Sequence, residues 1–369
     1  MCGAFGQMGF KVYLFFGSVS KKHNLKESLK NFYGISIPTM KTFFWKKWIN
    51  KGLEFFIAIL SIKVFIFDKI KKKGPDIVYC RNIYAAIFFK IISKSIIIYE
   101  THTLEIGFRK RLQKYLLNSQ QILTIVISLQ LKRILIKNLS LNRHDNIYVC
   151  HDCANVGHGV MNFQQKLNYR SKLFKDKKYI LDKNKFIGYF GHLYSGRGIG
   201  IIRLMAYRFP NFAFVIFGGE EEDLAKQKEI KNPKNLYFMG FISPNIVNKA
   251  MSSMDILLMP YQKKVGISGS NTVNTVKWMS PMKMFEYMSV GVPIISSDLK
   301  VLREVLNNDK NAVLVKSDQP DEWANAIKKI VSNPEFAFSL GKMAYNDFIN
   351  KYTWSKRVKK IFKKALNHS

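Results

Sequence analysis

The sequence predicts an α/β protein of two halves, each a parallel sheet wound with helices, and three observations carry that prediction. Short apolar runs, bounded by Gly, Pro or polar clusters, alternate with helix-period segments through most of the chain, which is the pattern of strand and crossover helix. The chain has 369 residues, and at about 150 residues per domain it divides into two. A polar, lysine-rich stretch at 164–185 separates the two alternating series and reads as the linker. Apolar residues make up 47% of the chain, enough for two ordinary cores.

Each element follows from local pattern. Residues 3–9 read as the tail of a helix and 10–16 (Phe-Lys-Val-Tyr-Leu-Phe-Phe) as a buried strand ended by Gly17. A nucleotide-type half starts strand, Gly-rich turn, helix, strand. So little chain precedes Phe10 that the first strand and turn of that series are expected to be missing. Helical segments span roughly 41–73. Next come a strand at 77–80, a helix at 84–93, a strand at 95–99 closed by Glu100-Thr101-His102, and a helix at 112–118. A strand at 122–127, a helix capped by Ser128 and running to about Lys137, and a strand at 147–150 end the first series. The second series opens with a strand at 185–190 that runs into Gly191-His192-Leu193-Tyr194-Ser195-Gly196-Arg197-Gly198, followed by a helix at 199–208. Strands at 212–217, 236–239 and 256–260, a helix at 245–252 and a polar loop at 262–275 lead to the stretch from Trp278 to Asp298. A last strand at 312–315 and helices from about Glu322, Glu335 and Trp354 complete the chain. Two such halves facing each other would leave a cleft, the usual place for a ligand.

A formal charge of +34 and an isoelectric point near 9.9 select partners that carry negative charge: phosphates, nucleic acid or an anionic membrane face. The excess of Lys, Ile, Phe and Asn along the whole chain also matches the residue usage of an AT-rich genome, to which about half of this charge is assigned. Cys2, Cys80, Cys150 and Cys153 are too few and too scattered for a disulfide framework, which favours a reducing cytoplasm. Cys150-His151-Asp152-Cys153 has CxxC spacing, yet neither Cys2 nor Cys80 brings a second ligand pair, so no metal site is expected. Residues 1–16 lack a basic n-region and a small-residue cleavage site. The longest apolar run, 55–67, is broken by Ser61 and Lys63 and falls short of the roughly 20 residues a spanning helix needs. Lys41, Lys46, Lys47, Lys51, Lys69, Lys71, Lys72 and Lys73 flank the aromatic residues Phe43, Phe44, Trp45, Trp48, Phe55 and Phe56. That composition fits either a segment lying in a membrane interface or a buried helix with a lysine-rich solvent face.

The stretch from Trp278 to Asp298 concentrates the chemistry. It reads as a polar loop, a short helix at 282–290, a turn at Gly291-Val292-Pro293 and a strand at 294–296. A helix N-terminus is thereby set beside the carboxyl ends of strands, the rim where an open parallel sheet binds phosphates. Glu286 is the only carboxylate in that helix, and its two acceptor oxygens suit the paired hydroxyls of a ribose.

At this point the residues resemble a known family. Residues 186–198 and 236–261, and above all Ser280-Pro281-Met282-Lys283-Met284-Phe285-Glu286-Tyr287-Met288 with Gly291, Pro293 and Ser297-Asp298, are similar to the C-terminal half of family-4 glycosyltransferases, which are retaining enzymes of the GT-B fold. Residues 76–82, 99–104 and 148–155 resemble the family's N-terminal domain, and Tyr352-Thr353-Trp354 with Arg357 resembles its final helix. The resemblance implies a GT-B architecture of two Rossmann-like domains facing a cleft: an acceptor-side domain at 1–175, a nucleotide-sugar domain at 176–352, and a terminal helix at 353–369 that crosses back toward the first. Glu286 matches the second Glu of the family's Glu-x7-Glu motif, which holds the donor ribose, while the first falls on Trp278. In the family's diphosphate grip the Arg position is His192 and the Lys position is Arg197, whose permanent charge and bidentate fork preserve a phosphate role. His102 matches the family His beside the donor sugar and acceptor. Gly240, Phe241 and Ile242 match the backbone that holds the base. Pro281 lacks an N–H, so the amides offered to the phosphate come from Met282 and Lys283. Asp152 matches the Asp of an inter-domain turn, with Cys153 in place of a usual Gly.

The implied catalytic set is His102, Arg197 and Glu286, and the donor set is Gly191, His192, Arg197, Gly240, Phe241, Ile242, Ser280, Met282, Lys283 and Glu286. The implied activity is hexosyl transfer with retention from a UDP- or GDP-sugar to a hydroxyl acceptor, in surface polysaccharide, lipopolysaccharide or glycolipid synthesis. No Asp-x-Asp occurs in the chain, which fits the metal-independent GT-B enzymes, and no cofactor is implied. Expected partners are the donor, a polysaccharide or lipid-linked acceptor and an anionic membrane surface, with no nucleic acid. The expected location is the cytoplasm, peripheral on the inner face of the membrane. Two other readings stay open: a truncated or inactive member of the family, and a basic nucleic-acid-binding protein, against which the dispersal of the basic residues weighs.

Overall fold

The structure, a computed structural model, describes residues 1–18, 39–44, 53–70, 75–266 and 274–368. Trp45, Lys46, Lys47, Trp48, Lys51, Lys71, Lys72 and Lys73 lie outside these residues, as does 267–273 of the polar loop. The chain divides into two units, Met1–His151 with Trp354–Ser369, and Asp152–Thr353.

The first unit runs α1 (Cys2–Gln7), β1 (Tyr13–Ser18), β2 (Thr39–Phe44), α2 (Leu53–Ile70), β3 (Ile77–Cys80), α3 (Ile83–Ile92), β4 (Ile96–Thr101), α4 (Gly107–Leu117), β5 (Ile122–Val126), α5 (Leu129–Leu139) and β6 (Ile147–Val149). Strands β3, β4, β5 and β6 form a sheet in that order with every pair parallel, and β1 pairs with β2 in parallel as a separate ribbon. The strands of the larger sheet read as continuous Ile/Val/Leu runs because helices cover both faces. Polar residues set the helix starts: Asn82 accepts from the amides of Tyr84 and Ala85, and Ser128 from that of Leu131. The last helix of the chain, α13 (Trp354–Leu366), belongs to this unit, where its Ile361 and Ala365 pack with Ile98, Leu123, Ile125 and Cys150.

The second unit contains α6 (Phe163–Leu173), β7 (Lys185–Phe190), α7 (Ile199–Arg208), β8 (Phe212–Phe217), α8 (Glu221–Lys228), β9 (Leu236–Gly240), α9 (Pro244–Ser252), β10 (Ile256–Met259), α10 (Met282–Met288), β11 (Ile294–Ser297), β12 (Val313–Val315), α11 (Pro320–Ser332) and α12 (Pro334–Lys351). Its sheet is parallel, in the order β12-β11-β10-β7-β8-β9. Successive residues of β8 point to opposite faces. Ala213, Val215 and Phe217 join a core with Met251 of α9, Met284 and Met288 of α10 and Phe348 of α12, while Phe214 and Ile216 join another with Ile202 of α7 and Trp323 and Ile327 of α11.

Three elements differ from the sequence expectation. Residues 41–44, expected within a helical stretch, form the last four residues of β2 (Thr39–Phe44), because Thr-Met-Lys-Thr-Phe-Phe is rich in β-branched and aromatic residue types that favour a pleated surface. The expected linker holds α6, nucleated by a reciprocal capping box between Asn162 and Gln165. It is tied down by Arg170, which donates to the Ser253 carbonyl at 2.7 Å, pairs with Asp255 at 2.9 Å and lies over the Phe186 ring. Helix α8 had no apolar stripe to announce it, and it starts instead from a capping box of Glu220 with Asp223.

Candidate functional site

The order of the second sheet fixes where a ligand can sit. The chain moves from β7 out to β8 and β9, then returns to β10 on the other side of β7. Ligands of open α/β sheets bind outside the carboxyl ends of strands at such a switch point. Four segments meet there: the loop after β7, the Gly218-Gly219 turn after β8, the chain after β10, and α10.

The loop from Gly191 to Gly198 lies flat on its neighbours. The Gly218 amide donates to the Gly240 carbonyl at 2.7 Å, and Gly191 donates to Phe217 at 2.9 Å. Gln262, just past β10, donates to the Gly196 carbonyl at 2.9 Å. Gly198 has a φ of +80°, and a Cβ there would stand 1.9 Å from the Pro260 carbonyl oxygen, so only glycine permits this approach. Tyr287 bolts α10 against the strand ends: its buried hydroxyl accepts from the Phe190 amide at 2.8 Å and donates to the Leu258 carbonyl at 3.3 Å. Lys283, one turn earlier, is thereby carried over Gly191, where a Cβ would stand 2.8 Å from its Nζ.

Two cations result, held on a floor of tyrosines. Lys283 Nζ lies 3.7 Å from the centre of the Tyr189 ring and 5.6 Å from that of Tyr261. Arg197 donates from Nη1 to the Tyr261 hydroxyl at 3.0 Å, and its Nε is buried with no hydrogen-bond partner among the described residues. Burial and the Arg197 charge push the Lys283 ammonium well below its usual pKa, and Glu286 only partly opposes them. Glu286 is itself pushed up by burial, against the pull of Lys283. Both side chains nevertheless keep part of their surface open to solvent, so they line a recess. His192 stacks on Tyr194 with ring centres 4.6 Å apart, and burial with the charges of Arg197 and Lys283 lowers its pKa. Crowded, partly desolvated cations, one with a buried donor left without a hydrogen-bond partner among the described residues, form a site that suits an anion.

The other donor-side residues fall around it. Gly240 ends β9 with a φ of +72°, Phe241 beyond it is exposed, and Ile242 packs on the core. Met282, in the first turn of α10, is exposed. Ser280 is buried, and its hydroxyl accepts from the Asp152 amide at 2.9 Å, which ties the start of this unit to the turn before α10. Sequence reasoning missed the tyrosines. Tyr189 and Tyr261 close apolar strands and carry no motif, so their floor beneath the cations was visible only once β7 and β10 lay side by side.

His102 belongs to the first unit. It follows β4, where Nε2 meets Glu100 Oε1 at 2.6 Å and Nδ1 meets Arg81 Nη2 at 2.6 Å. Glu100 is 3% exposed, and its other oxygen accepts from Arg357 at 2.8 Å and from the Tyr79 hydroxyl.

Residues 171–347 match the family model described as glycosyl transferases group 1. An uncharacterized glycosyltransferase of Methanocaldococcus jannaschii is 24% identical over 56% of this chain and 50% of its own length. A phosphatidyl-myo-inositol mannosyltransferase of Mycolicibacterium smegmatis is 24% identical over 46% of this chain and 41% of its own. The chain spans about half the length of the curated relatives it matches. The crystal structure of Anabaena HepE in complex with UDP superposes with a TM-score of 0.69 at 15% identity, covering 96% of this chain and 92% of that one. The fold is therefore that of GT-B glycosyltransferases. Every donor-side residue from Gly191 to Glu286 lies within the stretch 171–347 that is similar to the group 1 glycosyl transferases.

Proposed function

We propose that this chain transfers a hexose from a nucleoside-diphosphate sugar, with retention, to a hydroxyl of a polysaccharide or lipid-linked acceptor. The observation that carries the reading is the pair Arg197 and Lys283 at the switch point, with a buried Arg197 Nε that an anion would satisfy. The donor diphosphate lies between these cations, Glu286 one turn along α10 takes the ribose hydroxyls, and Gly240 to Ile242 border the base. Gly191 and His192 border the diphosphate, and Ser280 and Met282 shape the entry to α10. His102 serves the sugar end.

In the reaction the bond from the anomeric carbon to the leaving phosphate breaks as the bond to the acceptor oxygen forms on the same face. The acceptor proton passes to the departing phosphate oxygen. Arg197 and Lys283 stabilise the charge that grows there, and because they are already in place no reorganisation is needed at that moment. A lipid-linked acceptor on an anionic membrane surface fits the exposed Phe55, Phe56 and Ile59 on α2 and the lipid named for the mycobacterial relative. No described helix is long and apolar enough to cross a membrane.

Thermal unfolding with UDP, GDP and ADP tests the reading. A ligand bound only by the folded state at about 100 times its Kd adds about 2.7 kcal/mol. One diphosphate should raise the Tm, and Arg197→Ala or Lys283→Ala should abolish the rise. A set of flat responses across all three nucleotides would remove the donor assignment.

A further inference from the structure

Glu100 sits at the centre of a set of partners that no motif assigned. One of its oxygens meets His102 and lies 4.0 Å from Arg81 Nε, and the other meets Arg357 of α13 and the hydroxyl of Tyr79 on β3. Arg357 is 1% exposed at its side chain, and it also donates to the carbonyls of His151 at 2.9 Å and Cys150 at 3.2 Å. Burial by itself would push the Glu100 carboxyl up, but the hydrogen bond from His102 and the Arg357 charge hold it below the usual carboxylate range. It is a fixed acceptor.

The two partners of His102 then dictate its tautomer. An ionised carboxylate only accepts, so the ring nitrogen facing Glu100, Nε2, must carry the hydrogen. A guanidinium only donates, so the nitrogen facing Arg81, Nδ1, must offer its lone pair. Arg81 is 61% exposed, so it occupies the open side of the ring, where an incoming hydroxyl can take its place.

We propose that Glu100 and Arg357 are positioning residues that lock His102 as the Nε2–H tautomer, so that its Nδ1 is presented as an acceptor to a sugar or acceptor hydroxyl. This rests on the transferase reading for the identity of the hydroxyl, while the tautomer itself does not. The same logic orients a catalytic imidazole from a buried carboxylate in other enzymes.

The discriminating variant is Glu100→Gln. On the side away from His102 stand two donors, Arg357 and Tyr79, so the Gln carbonyl must turn to them and its NH2 to His102. The ring nitrogen facing it must then accept, which inverts the tautomer. Adding Arg357→Met removes that demand and lets the amide turn back.

Nitrogen-15 spectra of the imidazoles, with His102 assigned by its loss in His102→Asn, read this directly. The wild-type protein should show protonated Nε2 and bare Nδ1, the Glu100→Gln protein the reverse, and the double variant a return toward wild type. In transfer assays Glu100→Gln should lower kcat on the order of ten-fold or more with donor KM changed far less. Wild-type protein with a protonated Nδ1 overturns the proposal even where no variant folds, and so does an unchanged ring in Glu100→Gln. An absence of transfer from every nucleotide sugar, with the tautomers as stated, removes the transferase reading and leaves the lock standing.

Discussion

Lys283 is the residue where burial and the proposed function meet most directly. Its ammonium lies over Tyr189, beside Arg197, and its pKa is depressed first by burial and then by that neighbouring charge. A bound diphosphate supplies the opposite charge and raises the pKa again. Between the free and bound values the protein takes up a proton on binding, so affinity falls as pH rises through that window. Calorimetry of UDP in buffers of different ionisation enthalpy, repeated at rising pH up to the usual lysine value of about 10.4, should show net proton uptake within that range. Lys283→Arg, whose charge is permanent, should remove most of that uptake. Release of protons, or uptake that the substitution leaves unchanged, would place the diphosphate elsewhere. Glu286→Gln keeps the shape of the side chain and loses the charge, so it should weaken UDP while affecting inorganic diphosphate little, a split that competition binding can measure.

At the scale of the element, the loop after β7 shows what was and was not legible in the sequence. Strands β7 and β8 and helix α7 fall on the residues their apolar runs predict, because the strands are buried on both faces, the helix keeps one buried face, and Gly or Pro signals bound them. Arg197 and Lys283 were expected at one donor site only through the family resemblance, since nothing in spacing alone brings residues 86 positions apart together (283 − 197). The Pro260 carbonyl pressed against Gly198 was not legible at all, because it depends on the register of β10 beside β7. Helix α8 escaped notice for the opposite reason: it is a surface helix with no buried residue, so the apolar period that reveals helices is absent. The loop carries its own prediction. Gly198→Ala must either leave a positive φ or push Pro260 away, and it should cost about 1–3 kcal/mol. It should also weaken UDP binding, because Arg197 is the next residue. A variant with wild-type Tm and wild-type affinity would show that the loop relaxes freely.

The whole molecule is held in its two units by a chain path that returns at the end. Helix α13 is the last described helix in sequence, yet its Ile361 and Ala365 complete the core under β4 and β5 and its Arg357 neutralises Glu100. Leaving a buried charge without its partner costs about 3–5 kcal/mol. Arg357→Met should therefore destabilise the first unit, with hydrogen exchange accelerating in β3 to β6 while β7 to β12 keep their protection. Acid should act at the same place. The Glu100 carboxyl is depressed in the folded protein, so its contribution is fully present above its unfolded pKa, about 4.3, and is lost as pH falls through the lower folded value. The first unit should thus lose protection on acidification before the second, and Arg357→Met, which takes away a cation that keeps Glu100 ionised, should shift that loss to higher pH. Loss of protection at the same pH in both units, or a loss in Arg357→Met at the wild-type pH, would show that the stability of the first unit does not run through this pair.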